Sequence, residues 1–189
     1  YVSDPKVFAD AFNYLIYDGE QVIRPEQLTD LDATQFAIPY REDDEGKPEA
    51  TQKYRDVLKT LAVKTDEYCT YLVLGIENQS NVHYAMPVRN MLYDAMQYEK
   101  QVRQLAAAHR KKHDAATSEE YLSGMSREDK IAPVITLVIN FGSKRWDGPL
   151  SLYEMMPEQP AKVKAFVQDY KVFLIDPMAM SDGDLEHLN

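Results

Sequence analysis

Cysteine, long apolar runs and positive charge are what this sequence has least of. A single cysteine, Cys69, excludes an internal disulfide framework and suits a reducing compartment. No apolar run approaches the ~18 residues that a bilayer-spanning helix requires. The N-terminus also lacks the pattern of a secretory leader, so a cytoplasmic protein with no membrane partner is expected. Lys and Arg number 21 against 31 Asp and Glu, a net charge of -10. Non-specific coating of nucleic acid is driven by neutralising phosphates, and this charge argues against it. It leaves room for an enzyme that meets DNA through one local basic surface and a metal. A Gly-rich phosphate loop, a nucleophile elbow around Ser, and Cys/His zinc spacing are all missing. So are internal repeats and low-complexity segments.

What is present suits one domain over residues 1–189, with 44% apolar and 28% charged residues. The first residue is Tyr rather than Met, so a segment of a longer protein is expected. The most informative stretch is Tyr71 to Gln79, Tyr-Leu-Val-Leu-Gly-Ile-Glu-Asn-Gln. It reads as a buried central strand that runs straight into a carboxylate and an amide. Side chains alternate along a strand, so Glu77 and Gln79 share a face and Asn78 takes the other.

The segments around it supply partners. Asp4 to Tyr17 predicts a helix, capped by Asp4 with Pro5 at its first position, and with Val7, Phe8, Ala11, Phe12, Leu15 and Ile16 at helical spacing. A first strand is expected around Gln35 to Pro39. Arg41 to Gln52 reads as a solvated loop, and its acids Glu42, Asp43 and Asp44 imply no fixed metal geometry. Tyr54 to Val63 predicts a strand joined by Lys64-Thr65-Asp66-Glu67 to the central one, hence an antiparallel hairpin. If the hairpin is centred between Thr65 and Asp66, Asp56 faces Gly75 and is diagonal to Glu77. Diagonal pairs lie about 7–8 Å apart, within joint reach of one metal ion. A one-residue slip would undo that alignment.

A long helix follows, with Asn81 as a cap, Pro87 in its first turn, and an apolar stripe of Val88, Met91, Leu92, Ala95, Met96, Val102 and Leu105. Arg89 and Tyr93 are four apart and share a face. Arg89 is the cation expected nearest to Glu77. The basic end, His109-Arg110-Lys111-Lys112-His113, suits the helix dipole, with a phosphate contact as the alternative. His109 and His113 have ligand-like spacing, but no further His or Cys accompanies them and zinc is not expected. Asp114 to Lys130 reads as a loop with one helical turn. Pro133 to Phe141 is a second apolar strand, and Trp146 reads as a loop anchor rather than a base-stacking residue. A short helix over Pro160 to Asp169 and a strand over Tyr170 to Asp176 complete an α/β domain with a mixed central sheet.

An Asp entering one strand, Glu-x-Gln closing the next and a helix directly after it resemble the PD-(D/E)XK nuclease arrangement. More closely, Arg55-Asp56-Val57, Gly75-Ile76-Glu77-Asn78-Gln79-Ser80 and Met86-Pro87-Val88-Arg89-Asn90-Met91-Leu92-Tyr93-Asp94 resemble the recombination-promoting nuclease (Rpn) family. Its members are often described as PD-(D/E)XK nuclease family transposases. Pro133-Val134-Ile135-Thr136 and Trp146-Asp147-Gly148-Pro149 are also similar to that family, and the resemblance spans residues ~4 to 176. It implies a restriction-endonuclease-like core, with a mixed central sheet flanked by helices. The activity implied is metal-dependent DNA endonuclease action linked to recombination or mobile elements.

On that resemblance Asp56 and Glu77 hold Mg2+, for which Mn2+ or Ca2+ are the substitutes. Asp10 is an additional acid, with Asp4 competing for the role, and Arg89 supplies positive charge. Gln79 stands where the wider nuclease pattern has Lys, although Gln occurs there within the Rpn-like group. An amide orients water but brings no charge to a transition state. The alternative is a degenerate, non-cutting nuclease fold that binds nucleic acid or protein. DNA is the expected partner, and a homodimer the expected assembly.

Overall fold

In a computed structural model the described residues are 3–31, 34–36, 41–42, 48–49, 52–54, 57–65 and 68–181, with side chains described for 3–31, 59 and 79–181. The first helix, α1 (Pro5–Tyr17), begins as its sequence dictates. The Asp4 side chain accepts the Lys6 N–H at 2.9 Å, and Pro5, which has no N–H to satisfy, occupies the first turn. It ends where Asp18 turns into the left-handed region at φ 52°.

Strand β1 (Leu28–Asp30) comes earlier than the strand expected around Gln35 to Pro39. Of that expected stretch, β2 (Thr34–Phe36) takes part in a separate two-stranded ladder, and residues 37–40 lie outside the described residues. The segment read as a wholly solvated loop is partly ordered by backbone pairing. Strand β3 (Arg41–Glu42) pairs with β4 (Pro48–Glu49), and β5 (Gln52–Tyr54) pairs with β2. Polar side chains do not prevent a ladder, because main-chain groups make it.

The centre of the molecule is the antiparallel pair of β6 (Val57–Thr65) and β7 (Tyr68–Gln79). After α2 (Met86–Lys112), α3 (Ser118–Ser123), β8 (Val134–Asn140), α4 (Ala161–Lys164) and β9 (Phe173–Ile175), the principal sheet has the order β1-β6-β7-β8-β9. The pairs β1–β6 and β6–β7 are antiparallel, whereas β7–β8 and β8–β9 are parallel. The mixed α/β architecture read from the sequence is therefore present. Its last helix and strand are shorter than the sequence suggested.

The hairpin register differs from the expected one. Pairing continues through Lys64↔Cys69 and Thr65↔Tyr68, so only positions 66 and 67 link the strands, and Leu58 rather than Asp56 pairs with Gly75. A two-residue link is the commonest hairpin connection. The correction amounts to two residues, so parity survives: even-numbered positions of β6 pair with odd-numbered positions of β7.

Alternation along β8 sorts the core into two layers. Leu137 and Ile139 join Phe8, Ala9, Ala11, Phe12, Ile23 and Ile175 in one cluster beneath α1. Burying a side chain such as Phe12 or Leu137 stabilises the fold by about 1.5–3 kcal/mol. Thr136 and Val138 face the other way, toward α2. Val138 packs with Met86 and Val172, and the Thr136 hydroxyl donates to the Asp94 carboxylate at 2.5 Å.

Helix α2 starts at Met86 with Ala85 at its cap, so Asn81 does not cap it. It also turns an unexpected face inward. Met86, Asn90, Tyr93, Asp94 and Gln97 are buried, while Val88 and Met91 are exposed. The stripe that repeats at helical spacing against the sheet is largely polar, because hydrogen-bonding partners on β8 await it. The Tyr98 hydroxyl accepts the Val134 N–H at 3.1 Å, and the Gln101 amide pairs with both main-chain groups of Ala132.

Candidate functional site

The Glu-x-Gln sequence closes β7, and the parallel register sets Glu77 beside Val138 and Gln79 beside Asn140. Gln79 is 8% exposed and Asn140 1%. Asn140 is locked in place by its neighbours. Its amide donates to the Lys144 carbonyl at 2.8 Å and to Asp176 at 3.2 Å, and its oxygen accepts the Gly142 N–H at 3.1 Å. Asp176 also accepts the Trp146 N–H at 2.7 Å. A buried polar row thus crosses the carboxyl ends of β7, β8 and β9. That is the end of parallel strands at which open α/β sheets bind ligands.

Glycine is required beside this row. A Cβ on Gly142 would lie 2.8 Å from the Ser80 carbonyl oxygen and 2.9 Å from the Asn140 side chain. The Trp146 ring packs beside Val138, and its N–H donates to the Gly148 carbonyl at 2.9 Å. It is the loop anchor expected of it.

Arg89 lies in the first turn of α2, where its guanidinium donates to the Tyr93 hydroxyl at 3.2 Å and sits 5.5 Å from the ring centroid. The predicted sharing of a face by these two residues is a direct contact. Asn90, the next residue, is 1% exposed, and both polar atoms of its carboxamide are buried without a hydrogen-bonding partner. Asp94, one turn further on, accepts from Thr136 and from the Tyr170 hydroxyl.

The sequence-predicted residues therefore divide. Gln79 and Arg89 belong to the α2 side of the sheet. Asp10 sits half-buried on α1, whose packing is against the opposite side. Asp56 lies outside the described residues, and Glu77 is described by its backbone alone. Among the described residues no group of three or more His, Cys, Asp or Glu side chains is clustered as a metal site. Asn90, Asp94, Asn140 and Asp176 were missed from sequence. Their signal was present as polar residues at helical spacing in α2, and as single polar residues ending two apolar strands.

Residues 48–189 match the family described as "Putative transposase, YhgA-like". The chain belongs to this family. The YhgA-like match includes β6, β7, α2 and β8, and with them Asp56, Glu77, Gln79 and Arg89; α1 and Asp10 precede it. It is the Rpn-type transposase family that the sequence motifs resembled. No curated protein and no solved structure matches the chain.

Two further features involve other residues. A surface cavity of about 470 Å³ is lined by Tyr84, Asp147, Gly148, Pro149, Glu154 and Met155. There a hydrogen bond to Asp147 pushes the Tyr84 phenol above its usual pKa. At the far end of α2, His109 bonds Asp114 at 2.7 Å and Asp129 at 2.8 Å. The two carboxylates raise its pKa; His109 lowers that of Asp114, and the Ser126 N–H, with His109 as the lesser cause, lowers that of Asp129. His109 is thus engaged by two acids. No helix among the described residues is long and apolar enough to cross a membrane.

Proposed function

We propose that the protein is a metal-dependent DNA endonuclease with a PD-(D/E)XK-type core, hydrolysing phosphodiester bonds in a role linked to recombination or mobile elements. The observation that carries this reading is the β6–β7 register. The pair Val57↔Ile76 has Asp56 as the sequence neighbour of its first member and Glu77 as that of its second. Each carboxylate is thus one peptide bond from a paired residue, in a hairpin whose even and odd positions match. Family membership supports the same conclusion.

The donor set suits magnesium, a hard cation that takes oxygen ligands and keeps several waters. Asp56 and Glu77 would hold it, and a buried amide without a partner at Asn90 offers a polar group suited to its hydration shell. When bound, such an ion lowers the pKa of water and neutralises charge on a phosphate. Gln79, in register with Asn140 on β8, orients water through its amide. Arg89, braced on Tyr93, presents a cation to the DNA backbone. Asp10 is assigned no step. The net charge of -10 implies that DNA is engaged locally rather than by the whole surface.

The test is incubation of the purified protein with supercoiled plasmid in Mg2+, Mn2+ and EDTA. Nicking or linearisation should require the metal and disappear in Glu77→Ala. Cutting that persists in that variant would sink the site assignment. Retained DNA binding with no cutting in any metal would favour the alternative, a non-catalytic binding module in which Gln79 marks the lost charge of the general nuclease pattern.

A further inference from the structure

Asn90 is a buried amide whose donor and acceptor are both unused. Such a group is costly to bury, because water is given up and nothing replaces it. Its place in the fold is fixed by the residues around it. Along α2, Gln101 meets Ala132, Tyr98 meets Val134 and Asp94 meets Thr136, while Met86 packs on Val138. The helix and β8 therefore run in opposite directions. Four helical residues advance about 6 Å, close to two strand residues. Asn90, a turn from both Asp94 and Met86, lies level with Thr136 to Val138. The adjoining positions on β7 are Gly75 and Glu77.

From this placement we infer that Asn90 is a positioning residue that holds a water of a hydrated divalent cation bound at the end of β7. The inference rests on the nuclease reading and extends it to a residue on the covering helix. The amide oxygen accepts a proton of the bound water, and the NH2 group donates to an oxygen beside it. The carboxamide that lacks partners in the protein thereby acquires them with the ion. Outer-sphere partners of this kind typically change metal affinity by about 10–100-fold.

The test measures Mn2+ affinity by electron paramagnetic resonance, and melting temperature in EDTA and in Mn2+, for the wild type, Glu77→Ala, Asn90→Leu and Asn90→Asp. Asn90→Leu should melt no lower than the wild type in EDTA, since it removes an unsatisfied amide, yet bind Mn2+ about 10-fold or more weakly. Asn90→Asp should melt lower in EDTA and gain more from Mn2+ than the wild type does. A leucine variant that binds Mn2+ as tightly as the wild type, or an aspartate variant that gains no more from it, overturns the assignment. If Glu77→Ala still abolishes binding in that case, the nuclease reading survives without Asn90. A wild type that binds no Mn2+ overturns both.

Discussion

Asn13 and Asn90 are buried on opposite sides of the same sheet, at 0% and 1% exposure, and the protein treats them in opposite ways. The Asn13 amide donates to the Ile23 carbonyl at 2.9 Å and its oxygen accepts the Ile23 N–H at 2.7 Å. It acts as a peptide group would and ties α1 to the segment beyond it. Asn90 has neither bond. The surroundings differ in the same sense. Beneath α1 the contacts are among Phe8, Phe12, Leu137, Ile139 and Ile175, with a charge, Lys59, paired to Asp30 and lying over the Phe8 ring. Beneath α2 they involve Asp94, Thr136, Tyr170, Tyr98 and Gln101. One side of the sheet makes the fold stable. The other side buries a stripe of polar groups.

Substitutions on each side should separate these roles. The largest loss is expected for Phe12→Ala, about 3–5 kcal/mol by urea unfolding, because a fully enclosed ring leaves a cavity that rigid neighbours cannot fill. A loss below about 1 kcal/mol would mean that α1 contributes little to the core. Asn13→Leu should come next, costing about 1–3 kcal/mol, because it strands the Ile23 N–H and carbonyl in the interior. If Asn13→Leu proved harmless in the same assay, the contrast with Asn90 would disappear.

The smallest effect should depend on pH and belong to the α2 side. His109 titrates above its ordinary 6.5, so its contribution is complete below that value and is lost as pH rises through the raised folded pKa. Asp114 and Asp129 titrate below 3.8, so their contributions hold above that value and vanish as pH falls through the lowered folded ones. The melting temperature of the wild type should exceed that of His109→Gln most clearly near about pH 5.5, and the gap should narrow by about pH 8.5. A gap constant with pH would show that the histidine acts by shape alone.

How much of this was legible depended on which force wrote the pattern. Helix α1 was readable because cap, proline and apolar spacing agree, and β8 because seven residues alternate between two buried faces. The inward face of α2 was misread because Val88, Met91 and Leu92 attract attention as a stripe, while Asn90, Asp94, Gln97 and Gln101 repeat just as regularly. Burial there is decided by partners on β8 and on the approach to β9, which local sequence does not display. The hairpin register was off by two residues because Lys64 and Thr65 look polar enough to be a turn, yet strand pairing asks only for their backbones. Glu77 and Gln79 drew attention in the sequence because an apolar run ends there in an acid and an amide, and the structure sets Gln79 in register with the buried Asn140. Asn140 and Asp176 sit at similar run ends and carry the same signal more faintly.

The order of the principal sheet has a consequence for how the protein behaves among its own copies. Sheets recruit other chains through unpaired edges. Here the outermost strands, β1 and β9, are three residues each, and the exposed Asp30 carboxylate marks one of them. The twelve-residue β7, the longest strand among the described residues, is enclosed by β6 and β8. Aggregation through that strand would first require the sheet to open.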